Sequence, residues 1–140
     1  VLTVGMGTFH AGSEFAGEVR AQVEARLAFR VAGKIMARQA QLGQRVKSGQ
    51  VLAQLDPQDY TLAVDAAQAQ TAAALTNRDL AAADFKRYKQ LRTQNFISAA
   101  DLERREASLK AAQAQLEQAQ SQLMAQTNQA SYAVLRATVD

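Results

Sequence analysis

Hydrophobic and polar positions change their rhythm once along this chain, close to residue 56. Before that point the pattern is short-range. Val1, Leu2, Thr3 and Val4 open with β-type residues, and Gly5, Gly7, Gly12 and Gly17 then interrupt the run. Glu18, Val19, Arg20, Ala21, Gln22, Val23 and Glu24 alternate polar and apolar, the pattern of a strand with one buried face. Leu27, Phe29 and Val31 continue the alternation up to Gly33. Residues 35–40 and 51–55 read as further strands on either side of a turn-rich stretch at 42–49. About five short strands in a small β unit are expected.

After that point the period becomes helical. Asp56 is a favoured N-cap, Pro57 suits the first helical position, where an N–H would go unpaired, and Asp59 adds negative charge at the positive end of the helix dipole. With no Gly or Pro from Gln58 onward, the first helix should run to about Arg92, roughly 50 Å. Residues 93–97 break the helical run. Ser98 then offers an N-cap, Asp101 stands at the third helical position of a capping box, and Ile97 and Leu102 have the spacing of a hydrophobic staple. Leu102, Leu109, Leu116 and Leu123 recur every seven residues, with Ala112 and Ala119 between them and Arg105 and Gln126 in the equivalent places at the ends. The first helix answers with Tyr60, Val64, Ala67, Ala74, Ala81, Phe85 and Tyr88 on one stripe. Two long helices joined by a turn of about five residues pack antiparallel. β-type character resumes at 132–139, so both ends of the hairpin return to the β unit.

Composition supports the division. All seven glycines lie at or before Gly49, and Pro57 is the only proline. Alanine, roughly a fifth of the chain, contributes little apolar area when buried, so a compact core would be thin. An elongated helical arm suits this material better. No run approaches the ~20 apolar residues that span a bilayer. A chain that opens on Val1, with neither initiator Met nor a charged-then-apolar leader, reads as a processed or truncated product.

Chemistry is sparse. The absence of Cys excludes disulfides, thiolate metal sites and Cys nucleophiles, and a single His10 cannot build a multi-histidine site. Asp65, Asp79, Asp84, Glu103, Glu106 and Glu117 sit among Lys, Arg and Gln on faces that should be solvated. General acid–base work needs such groups in a shaped, partly dry pocket. No catalytic, cofactor-binding or metal-binding residue is expected, and the chain reads as no enzyme. The net charge of +3 reads as spread out, which gives nucleic-acid binding little support. Lys86, Arg87, Lys89 and Arg92 cluster before the break, but one interleaved Tyr88 is no stacking platform.

Val31, Ala32, Gly33, Lys34 and Ile35, followed by 43–56 with its Val46-Lys47-Ser48-Gly49-Gln50-Val51-Leu52 run, look like the first half of a biotinyl/lipoyl-type domain. Asp56-Pro57-Gln58-Asp59-Tyr60 leading into a helical hairpin, and then Tyr132 to Ala137, resemble the periplasmic adaptor proteins (membrane fusion proteins) of tripartite efflux pumps. The resemblance covers about residues 17–140. It implies an α+β fold, with a long antiparallel α-helical hairpin inserted in a small lipoyl-like β domain that is incomplete in this chain. The expected division is 1–16 as a strand leading from a β-barrel region, 17–56 as the first half-motif, 57–130 as the hairpin with its tip at 93–98, and 131–140 as the start of the second half-motif. The incomplete half-domain is expected to order further when copies assemble. Lys34 and Lys47 lack the context of a lipoylated or biotinylated lysine, so the half-motif reads as a brace.

Adaptors that dock on a TolC-like outer-membrane channel resemble one another in an Arg, a Leu four residues later and a Ser seven beyond that. Arg87, Leu91 and Ser98 have that spacing. Arg offers a planar fork of donors for carbonyls and carboxylates, Leu an apolar anchor and Ser a hydroxyl. Each also has a simpler role, as a solvated charge, a seam residue and a helix cap. The resemblance implies a periplasmic location in a Gram-negative bacterium, with inner-membrane attachment through parts absent from this chain. Its implied partners are an inner-membrane transporter of the resistance–nodulation–division (RND) type, a TolC-like channel and further copies in a ring, as a hexamer or trimer of dimers, with no cofactor and no nucleic acid. An adaptor for an ABC or major-facilitator exporter or for type I secretion, and a purely structural coiled coil, are the alternatives.

Overall fold

A computed structural model describes residues 1, 3–5, 12 and 14–138. Its elements run β1 (Ile35–Arg38), β2 (Val51–Leu55), α1 (Gln58–Thr93), α2 (Ala99–Ser131) and β3 (Val134–Arg136). The sheet is antiparallel with β2 in the middle. Ile35 lies opposite Leu55 and Arg38 opposite Ala53, while Val51 lies opposite Arg136 and Gln54 opposite Val134. The hairpin is therefore inserted between two strands that pair with each other. Leu55 N–H donates to Ala133 O at 2.8 Å, closing the ladder at the point where both helices leave it.

Two turns of the same construction shape the β1–β2 connection. In 41–44 and 47–50 a glycine at the third position adopts φ +80°, Gly43 and Gly49. In each, the fourth residue's N–H donates to the first residue's carbonyl, Gln44 to Gln41 at 3.2 Å and Gln50 to Lys47 at 2.9 Å. In each, a Gln side chain then accepts the first residue's N–H, at 2.9 Å and 3.0 Å. Only glycine takes such a φ without strain.

Several sequence expectations need correction. No described residue of 14–31 enters the sheet, and the same holds for residues 1 and 3–5; Leu2 and Val139 lie outside the described residues. The alternation at 18–24 supplies one face of a strand but no hydrogen-bonding neighbour, and Val19 and Val23 are 100% and 67% exposed. Three strands, not five, are therefore formed among the described residues. The start of α1 differs by one position from the expectation. The hydrogen-bonded run begins at Gln58, with Pro57 already helical at φ −87°, ψ −4°. Asp56 Oδ1 accepts the Gln58 N–H at 3.1 Å, so Asp56 does the capping from the position the sequence indicates.

The helices run 36 and 33 residues, so α1 is about 54 Å long. Buried residues among those described are Leu55, Leu116 and six alanines, three of which (Ala53, Ala133, Ala137) lie with Leu55 at the base. In the shaft, Ala74, Leu116 and Ala119 form one cluster. The thin Ala/Leu seam is observed, with two polar additions to the α1 stripe. The single Thr71 hydroxyl proton is shared between Ala67 O in its own helix, at 2.9 Å, and Ala119 O across the hairpin, at 3.2 Å. Arg78 is half-buried, its Nη1 3.2 Å from Asp79 Oδ1 and its Nε buried without a partner. At the base, Tyr60 OH donates to Ala32 O at 2.5 Å, and the Arg30 guanidinium lies 3.8 Å from the Tyr132 ring centroid. Gly33 closes against Leu55, where a Cβ would come within 3.3 Å of Cδ1.

Candidate functional site: the hairpin tip

The tip is the five residues between Thr93 and Ala99. Asn95 ends α1 in the left-handed conformation, φ 58°. Its N–H donates to Arg92 O at 3.0 Å, and the Phe96 N–H reaches back to Leu91 O at 3.0 Å. This pair of bonds is a Schellman motif, in which asparagine is the usual substitute for glycine. The apolar residue that follows such a cap commonly packs back on the last turn. Here Phe96 does not, and it stands 73% exposed at the apex.

On the other side Ser98 caps α2. Its Oγ accepts the Asp101 N–H at 3.1 Å and donates to Asp101 Oδ2 at 2.6 Å. The short Asp carboxylate thus meets the capping hydroxyl itself. That hydrogen bond is the main reason the Asp101 carboxyl is held below its ordinary value of 3.8; Arg104, the Ser98 backbone N–H and Arg105 act in the same direction, and partial desolvation opposes them. Glu106 is likewise held low, chiefly by its hydrogen bond and ion pair with Lys110.

Arg87 and Leu91 lie one turn apart on the last turns of α1, and Ser98 begins α2 across the tip. The Arg87 side chain is 64% exposed and its Nη2 sits 2.6 Å from Asp84 Oδ1, which still leaves donors of the fork facing solvent. Leu91 is half-buried, and its carbonyl is taken by the Schellman bond. The Ser98 hydroxyl is occupied by the cap. Of the three, Arg87 is the best placed to meet a partner.

Sequence reasoning passes over two features here. Asn95 reads there only as part of a break, although Asn shortly after the last periodic residue is itself a left-handed cap signal. The contact between Arg105 Nη2 and Tyr88 OH, 3.1 Å across the hairpin, carries no local signal. Charge is also less even than it first reads. Arg26, Arg30, Lys34, Arg38, Arg45 and Lys47 fall between Glu24 and Asp56 with no acidic residue among them.

No cluster of three His, Cys, Asp or Glu suited to a metal occurs among the described residues, and His10 lies outside them. A cavity of about 420 Å³ at the hairpin base is lined by Lys34, Asp56, Asp59 and Tyr60 among others, but Asp56 serves the helix start and Tyr60 the backbone of Ala32. Among the described residues no helix is long and apolar enough to cross a membrane.

Residues 17–134 match the family described as the barrel-sandwich hybrid domain of RND membrane fusion proteins. The multidrug resistance protein MdtA of Shigella boydii is 33% identical over 114 residues, which cover 79% of this chain and 27% of that protein. MdtA of an Escherichia coli O45:K1 strain is 31% identical over 111 residues, with the same coverage of each. The chain thus spans about a quarter of the length of these relatives. The membrane fusion protein Spr0693 of Streptococcus pneumoniae shares the fold at a TM-score of 0.64, with 20% identity over 81% of this chain and 48% of that one. A hairpin inserted between paired strands, matched over nearly all of its length by one family, places this chain among the RND membrane fusion proteins of the barrel-sandwich hybrid type.

Proposed function

We propose that the chain is the hairpin-bearing part of a periplasmic adaptor that links an inner-membrane RND transporter to a TolC-like outer-membrane channel in a Gram-negative bacterium. Residues 17–56 and 131–140 act as two lipoyl-like half-motifs that brace the hairpin of 57–130, and 1–16 lead from a β-barrel region. The adaptor performs no chemistry. It assembles with further copies into a ring, as a hexamer or trimer of dimers, and its tips meet the periplasmic helices of the channel and hold the gate open.

One observation carries this reading: an arm of about 54 Å ends in a rigidly capped tip flanked by Arg87, Leu91 and Ser98. Arg87 supplies the forked donor for carbonyls or carboxylates on the partner. Leu91 supplies apolar contact. Ser98 fixes the start of α2 and offers its remaining lone pair. The name of the relatives, multidrug resistance protein, supports small toxic compounds as the cargo.

The test is charge reversal in the complete adaptor. Arg87→Glu, produced at wild-type level, should lower resistance to pump substrates, and a compensating acid-to-base change on the channel should restore it. Unimpaired efflux with Arg87→Glu would refute the docking role.

A further inference from the structure

The hairpin seam carries little information about its own register. Its buried residues are Ala67, Ala74, Leu116 and Ala119, and a Leu/Ala heptad finds similar partners when one helix shifts along the other. Polar contacts are the usual device for fixing such a phase. Among the described residues, two hydrogen bonds run from a side chain of one helix to the other helix. Thr71 to Ala119 O lies in the shaft. Arg105 to Tyr88 lies toward the tip and is the one that joins two side chains.

The second contact has two parts. Arg105 Nη2 donates to Tyr88 OH at 3.1 Å, and Arg105 Cζ lies 4.5 Å from the ring centroid. The carboxylates nearest on α2 make their close contacts elsewhere, although Asp101 attracts Arg105 at longer range. Asp101 holds Ser98 and Arg104, and Glu106 holds Lys110 at 2.8 Å. Arg105 therefore reaches across the seam. Tyr88 follows Arg87 directly, and successive residues are turned by about 100° around a helix. Fixing Tyr88 in the seam fixes the direction in which Arg87 leaves α1.

We infer that Tyr88 and Arg105 form a clasp that sets the rotational phase of the tip, turning Arg87 outward and holding it in register with Ser98 across the turn. Both are positioning residues. The consequence for the channel rests on the docking role proposed for Arg87, whereas the clasp does not.

The experiment uses the full-length protein with spin labels on cysteines replacing Lys86 and Glu103, two exposed positions on opposite helices. With Tyr88 and Arg105 intact, the inter-label distance distribution should be narrow. Arg105→Ala and Tyr88→Leu should broaden it or add a second population while the far-ultraviolet circular dichroism stays unchanged. Tyr88→Phe, which keeps the ring face and loses the hydroxyl, should fall between, and Arg105→Lys should recover most of the narrowness. A distribution unmoved by Arg105→Ala and Tyr88→Phe alike would overturn the clasp.

A second readout is crosslinking of Arg87→Cys to the channel in cells, which Arg105→Ala should reduce about twofold, the low end of coupling between residues in contact. An unreduced yield alongside a broadened distribution would overturn the positioning role. If Arg87→Cys fails to crosslink even with the clasp intact, the docking role fails, and the distance measurement still decides the clasp.

Discussion

Leu116→Ala probes the idea that a seam made of little more than alanine and leucine holds the arm together. Leu116 is 4% exposed and packs with Ala74 and Ala119. Truncation removes roughly three carbons of buried side chain, about 2.4 kcal/mol at ~0.8 kcal/mol for each CH₂. The cavity left behind adds to that loss, but a two-helix seam has no third layer to hold it open, so part of the cost is recovered as the helices close. Alanine also returns a few tenths of a kcal/mol in helix propensity. The net expectation is a loss of about 2–3 kcal/mol. Urea unfolding followed by circular dichroism at 222 nm should show a midpoint lowered by about 1–2 M for an m-value near the small-protein range. Leu75→Ala is the control: at 41% exposure its removal should cost under about 1 kcal/mol. If Leu116→Ala proves no more costly than Leu75→Ala, the seam is not what stabilises the hairpin.

Three more outcomes are expected from local geometry. Ser98→Ala should destabilise by about 1 kcal/mol through loss of the cap, and an NMR titration should show the Asp101 carboxyl returning toward 3.8. Because the folded-state pKa of Asp101 lies below its unfolded value, its stabilising contribution is present at neutral pH. That contribution should be lost as pH falls from about 4 through the depressed value, and Ser98→Ala should shrink the acid-dependent part. Asn95→Ala should cost about 1 kcal/mol in thermal unfolding, since at φ 58° the local hydrogen bonding of the asparagine side chain, which accepts from Arg92 Nη1 at 3.4 Å, offsets a left-handed penalty that alanine bears in full, while Asn95→Gly should be neutral or stabilising. Gly33→Ala should lower the melting temperature measurably, because its Cβ would come within 3.3 Å of Leu55 Cδ1, and Leu55 is 2% exposed.

Local signals in the sequence are the ones that translate directly into structure. Ser98 and Asp101 are three residues apart, and the cap they form is a property of one helical turn. The leucine heptad fixes the inward face of α2 because helical periodicity is local. The break at 93–98 is visible and Asn95 within it is a left-handed cap signal, while the partners of the Schellman bonds, Arg92 and Leu91, emerge from the backbone geometry. Where pairing is non-local, pattern alone misleads. Residues 18–24 alternate as a strand does, but a strand forms only against a neighbour, and none within the described residues accepts it.

The tyrosines make the same point from the other side. The chain has three, and each makes a contact distant in sequence: Tyr60 with Ala32, Tyr88 with Arg105, and Tyr132 with Arg30. On the α1 stripe Tyr60 and Tyr88 read as ordinary apolar positions. Their hydroxyls, aimed at partners 28 and 17 residues away, become visible only once the chain is folded. The candidate site divides likewise. The spacing of Arg87, Leu91 and Ser98 is legible, whereas the commitment of the Ser98 hydroxyl to Asp101 and the exposure of Phe96 are not.

The proposed adaptor role turns on whether the tip touches an outer-membrane channel. Single cysteines at Arg87 and Ser98, and at exposed shaft positions such as Gln68 and Gln120, can be crosslinked in cells carrying the complete pump. Adducts with the outer-membrane channel at the two tip positions, and not at the shaft positions, are predicted. Adducts confined to the shaft, or none at the tip while the pump remains active, would contradict tip docking.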